Sequence, residues 1–66
     1  MARYEIVVEG AAGPLVEVAV DGLDVEVIGG GRSRIVGDVT DQAHLQALLH
    51  RLADLHATII DVHRIG

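Results

Sequence analysis

Thr40-Asp41-Gln42-Ala43-His44-Leu45-Gln46-Ala47-Leu48-Leu49-His50-Arg51-Leu52-Ala53-Asp54-Leu55 is the stretch whose reading decides the fold. Leu45, Leu48, Leu49, Leu52 and Leu55 recur at three- and four-residue intervals, which puts five leucines on one helical face. Thr40 or Asp41 supplies the N-cap, and the helix is expected to end near Leu55 or His56. A lone helix with such a face needs a partner layer. The remaining sequence offers strands, so the partner is a sheet.

Outward from the helix, the alternation is that of strands. On the N-terminal side, Arg32 to Val39 places Ser33, Ile35, Gly37 and Val39 on one face and Arg34, Val36 and Asp38 on the other. Gly37, on the helix-facing side, is expected to let the long helix approach closely. Gly29-Gly30-Gly31 is a turn. Before it, Leu23, Val25 and Val27 alternate with Asp24 and Glu26. On the C-terminal side, roughly Thr58 to Ile65 forms another strand, with Ile60 and Val62 on one face and Ile59, Asp61, His63 and Ile65 on the other. At the start of the chain, Tyr4, Ile6 and Val8 alternate with Glu5, Val7 and Glu9. Gly10-Ala11-Ala12-Gly13-Pro14 breaks that strand, and Pro14 suits the first position of a short helix. In that helix Leu15, Val18 and Ala19 are expected to face inward, and Asp21-Gly22 ends it.

The resulting order is β-α-β-β-α-β over residues 1–66, one α+β domain. The compact solution is a ferredoxin-like sandwich with a four-stranded antiparallel sheet, strand order 4-1-3-2, and two helices on one face. Its expected core is Tyr4, Ile6, Val8, Val25, Ile35, Leu45, Leu48, Leu49, Leu52, Ile60 and Val62.

Composition narrows the function. With 66 residues the chain buries a modest core, and without cysteine it has neither disulfides nor thiolate chemistry. Tyr4 is the only aromatic residue, so base-stacking platforms are missing. The net charge of −5 argues further against nucleic acid and anionic lipid. No apolar run approaches the roughly 20 residues of a membrane span, and the N-terminus carries no secretion signal, so the expected compartment is the cytoplasm. All five basic residues are arginine, the usage of a GC-rich bacterial genome.

The run from Val39 to Leu55, with its Asp41-Gln42-Ala43-His44-Leu45 segment, resembles a group of small uncharacterised actinobacterial proteins. In these a valine-rich hairpin leads through a similar acidic-Gln-x-His-Leu stretch into a leucine helix. The opening Tyr4-Glu5-Ile6-Val7-Val8-Glu9-Gly10 and the closing Val62-His63-Arg64-Ile65 fit the same group. The chain departs from it at Ala47 and His56, where such proteins often carry glycine. The resemblance implies a fold and no site. A looser likeness, through the βαββαβ order and the Gly13-Pro14 turn, is to ACT-type ligand-sensing domains.

The polar residues supply no catalytic set. His44, His50, His56 and His63 lack the i, i+4 spacing of helical metal ligands. His50 and Asp54 have that spacing, but no serine, threonine or cysteine nucleophile completes them. The Gly10–Pro14 turn has neither a cation nor a phosphate-loop spacing, and Gly29-Gly30-Gly31-Arg32-Ser33-Arg34 reads as a hairpin tip. No catalytic residue, metal ligand or cofactor site is therefore expected.

The expectation is a non-enzymatic interaction module that associates with itself as a homodimer or larger assembly. Val7, Val36, Ile59 and Ile65, joined by Ile28, would form an apolar patch on the sheet face opposite the helices. Arg34 and Asp61, with Glu5, Glu9 and Arg64, would ring it. Pairing through an edge strand is the competing geometry. The alternative from another class is an ACT-like regulatory domain that binds a small molecule at a subunit interface.

Overall fold

The computed structural model describes residues 2–10, 13–20 and 22–66. Its elements are β1 (Ala2–Glu9), α1 (Pro14–Ala19), β2 (Asp24–Ile28), β3 (Arg32–Val39), α2 (Gln42–Asp54) and β4 (Ile59–Arg64). The strands form one antiparallel sheet in the order β2-β3-β1-β4, with α1 and α2 on one face, a ferredoxin-like sandwich. Of the expected turns, Ala11, Ala12 and Asp21 lie outside the described residues.

Strand alternation and helix period meet in the core, where Ile6, Val8, Ile35 and Val39 from the sheet pack with Leu45, Leu48 and Leu52 from α2. Tyr4, Val25, Leu49 and Val62 pack against this cluster from its margin. Ser33 is fully buried on the same face, and its hydroxyl donates to the Gly10 carbonyl at 2.8 Å, tying the β2–β3 hairpin to the end of β1. Gly30 and Gly31 take φ of 76° and 70°, as that three-residue turn requires.

The Asp-Gln-Ala-His-Leu segment is the start of α2. Asp41 is the N-cap, and its carboxylate accepts from the His44 N–H at 2.9 Å. His44 reaches back, its Nδ1 accepting from the Thr40 N–H at 3.0 Å. One orphan donor of the first turn, the His44 N–H, and the Thr40 N–H just before the cap are thereby satisfied, an arrangement close to a capping box. The other end closes with the His56 N–H bonded to the Ala53 carbonyl and the Ala57 N–H to the Leu52 carbonyl. This is a Schellman closure, and it holds His56 at φ 59°. A histidine there carries the left-handed strain that glycine avoids. His56→Gly is therefore expected to raise stability by about 0.5–1 kcal/mol in urea denaturation. A variant less stable than the parent would show that the His56 side chain contributes more than its backbone strain costs.

Three expectations need correction. In α1 the inward stripe is Val16 and Ala19, followed by the fully buried Val20, while Leu15 and Val18 are 70% and 75% exposed. The helix has only six residues and is anchored by Val20, whose N–H bonds to the Val16 carbonyl. That anchor turns the buried stripe one residue, about 100°, from Leu15 and Val18. In β4 the pairing shifts between Val7, which faces Asp61, and Val8, which faces Ile59. Ile60 is the extra residue of this bulge and is 41% exposed, whereas Ile59 packs against the core. Finally, Gly37 accommodates Leu23 and not the long helix: a Cβ at Gly37 would lie 2.7 Å from Leu23 Cγ.

Candidate functional site

The open face of the sheet is a lattice of charges, built by the register of the strands. One row runs Asp24, Val36, Glu5, His63 and the next Glu26, Arg34, Val7, Asp61. Alternation sends these side chains away from the helices, and antiparallel pairing sets them side by side. Arg34 is the hub, with Nε 3.3 Å from Glu5 Oε2 and 3.2 Å from Glu26 Oε1. That nitrogen is buried and has no acceptor aligned with its N–H, so the contacts are electrostatic. Arg3 meets Asp38 at 3.7 Å and Arg32 meets Glu9 at 3.8 Å on the flanking rows. Both pairs are about half exposed, and such pairs contribute roughly 0–1 kcal/mol each.

This lattice alters the expected apolar patch. Val36 is central, as foreseen, but only 7% exposed, because Arg3, Asp24, Glu26 and Arg34 surround it in a shallow depression of about 150 Å³. Val7 is half-buried, and Ile65, 45% exposed, lies past the end of β4, where its N–H bonds to the Arg3 carbonyl. Ile59 belongs to the other side of the sheet. The structure thus brings Arg34 and Asp61 onto the open face with Val7 and Val36 but disperses the apolar residues between them.

Sequence spacing missed one cluster. Glu5, Asp61 and His63 each bring a ligand-type atom within 4.8 Å of the other two. His63 Nδ1 is 2.6 Å from Asp61 Oδ2, and His63 Nε2 is 3.4 Å from Glu5 Oε1. Glu5 and His63 are cross-strand partners 58 residues apart (63 − 5). The available signal was Asp61-x-His63, two positions apart on one strand face, combined with the β1–β4 pairing that the strand order implies.

The other candidates separate. His50, Asp54 and His56 are exposed on or after α2, and His44 belongs to its cap. Ser33 is buried and bonded to Gly10. On the helix layer, Val18 and Ala19 of α1 face Arg51, Asp54 and Leu55 across a groove of about 350 Å³. The Arg51 Nη1 donates to the Ala19 carbonyl at 3.4 Å at its floor.

A family model described as "Domain of unknown function (DUF8691)" matches residues 3–63. The chain belongs to the DUF8691 family. Among curated proteins none matches this DUF8691 domain. Its fold is similar to that of the acylphosphatase from Bacillus subtilis, with a TM-score of 0.64 and 20% identity over 98% of this chain and 83% of that one. At that identity the likeness shows a shared fold alone. No helix among the described residues of this DUF8691 domain is long and apolar enough to cross a membrane.

Proposed function

We propose that this DUF8691 domain is a non-enzymatic interaction module that self-associates through its helix layer. The observation that carries the reading is the exposure of Leu15 and Val18, 70% and 75%, beside the α1–α2 groove. Contiguous exposed apolar surface marks interfaces, and Val18, Ala19 and Leu55 give this groove an apolar wall. A second copy fits the groove by charge as well as by apolarity. Its lining carries Arg51 and Asp54, of opposite sign, so a two-fold axis would set each arginine against the partner's aspartate. The open sheet face is less suited. Arg3, Arg32 and Arg34 stand there against Glu5, Glu9, Asp24, Glu26, Asp38 and Asp61, a formal −3 (+3 − 6) with His63 neutral. Two such faces repel, and their apolar centre is already covered.

The non-enzymatic part of the reading is supported by where the nucleophile-type and cationic groups stand. The one serine is buried in a structural hydrogen bond. The β1–α1 connection, Glu9 to Pro14, has no lysine or arginine to meet a phosphate, although the fold neighbour is by name a phosphatase.

Light scattering at tens of micromolar protein tests the proposal. A dimer mass is expected for the parent chain, a monomer for Val18→Asp, and an unchanged dimer for Val36→Glu. A monomeric parent overturns self-association. Dissociation by Val36→Glu but not by Val18→Asp returns the interface to the sheet, and a dimer resistant to both moves it to an edge strand.

A further inference from the structure

We propose that Glu5 and His63 bind a divalent transition-metal ion, with Zn²⁺ the best match, and that Asp61 is the positioning residue that holds the imidazole for it. A neutral imidazole has one N–H and one lone pair. Both ring nitrogens of His63 lie against carboxylate oxygens, at 2.6 Å from Asp61 and 3.4 Å from Glu5. Asp61 Oδ2 lies within hydrogen-bond distance of Nδ1, so a ring tautomer with its N–H there is held by Asp61. In that tautomer Nε2 and Glu5 Oε1 are two ligand-type atoms 3.4 Å apart, a pair that one cation can join.

The geometry suits a metal cation. Zinc bonds nitrogen and oxygen at about 2.0–2.1 Å, and two ligands of one tetrahedral ion then stand about 3.3–3.4 Å apart. The Nε2 to Oε1 separation is 3.4 Å. A carboxylate on the far ring nitrogen is the arrangement that fixes the tautomer of metal-bound histidines, and Asp61 stands there. The ligands rise from adjacent antiparallel strands, a rigid base. Borderline nitrogen and oxygen donors favour zinc over calcium or magnesium.

Charge favours it too. Glu5, Asp61 and Glu26 against Arg34 sum to a formal −2 (−3 + 1). Arg34 takes Glu5 through Oε2, which leaves Oε1 for the ion, though its charge lowers the affinity. With two protein ligands and water in the remaining positions, the site is a weak and exchangeable one. His63 and Asp61 are about half exposed, so the ion has direct access.

The experiment is calorimetric titration of the full chain with zinc chloride near neutral pH, with the His63 ring nitrogens followed by NMR. Saturable binding of one ion per chain is expected, with the Nε2 signal moving and Nδ1 keeping its proton. His63→Ala and Glu5→Gln should each weaken binding roughly tenfold or more, Asp61→Asn by less, and His44→Ala and His50→Ala not at all. Thermal melts of each variant confirm that it is folded. Binding absent up to millimolar zinc, or a saturable site that survives His63→Ala, overturns the proposal.

Discussion

Replacing Leu52 by alanine is expected to cost this domain about 2–5 kcal/mol. Leu52 is fully buried at the third turn of α2, against the sheet face built by Ile6, Val8 and Ile35. Alanine removes most of the side chain, and the surrounding leucines and valines cannot fully close the space. The loss is large relative to the whole. A chain of 66 residues at the usual 0.05–0.15 kcal/mol per residue has roughly 3–10 kcal/mol of stability. Urea denaturation with linear extrapolation measures it, and the variant should be partly unfolded at 25 °C if the parent lies at the low end. A loss under about half a kcal/mol would mean that the leucine face of α2 is not the core. Self-association would deepen the effect at high concentration, so the comparison belongs at the lowest practical protein concentration.

Gly37→Ala is the second substitution with a large expected effect, and its sign is the informative part. In an ordinary strand, alanine for glycine removes freedom from the unfolded chain and stabilises by roughly 0.4–1 kcal/mol. At Gly37 the added Cβ would meet Leu23 Cγ at 2.7 Å and Leu23 Cα and Cβ at 3.2 Å. Leu23 is not free to retreat. Its N–H bonds to the Val20 carbonyl, and its side chain packs against the core. The clash with a fixed neighbour is expected to outweigh the entropy gain and to leave a net loss of about 1–3 kcal/mol. Leu23→Ala in the Gly37→Ala background should restore part of it, a coupling that a double-mutant cycle isolates. A Gly37→Ala variant more stable than the parent would show that the α1–β2 connection yields readily.

Both predictions start from features legible in the chain, and they differ in what the sequence could say about each. The spacing of Leu45, Leu48, Leu49, Leu52 and Leu55 reported the helix, its buried face and hence the layer beneath it, because a helical period is a local property of the backbone. The alternation in β1 and β3 reported the core faces of those strands, and the order of elements left few compact topologies, of which the usual one is observed. Gly37 was recognisable as a place where something approaches closely, but not that the neighbour is Leu23.

What escaped the sequence depends on contacts between distant segments. One extra residue, Ile60, reverses the faces at the start of β4, and a bulge has no local signature among Ile59, Ile60 and Asp61. The rotation of α1 follows from Val20 seating in the core, since six residues are too few for the period to declare a face. Alternation put Val36 on the open face but could not say that Arg3 of β1 and Asp24 and Glu26 of β2 line one depression with it and Arg34, because that gathering depends on the neighbouring strands. Glu5 and His63 sit at opposite ends of the chain, and only the β1–β4 register makes them neighbours. Secondary structure and layer order were local and periodic and could be read from the chain. Which charged and apolar side chains meet on the two surfaces was decided by strand register, a bulge and one buried valine, which exist only once the sheet has formed.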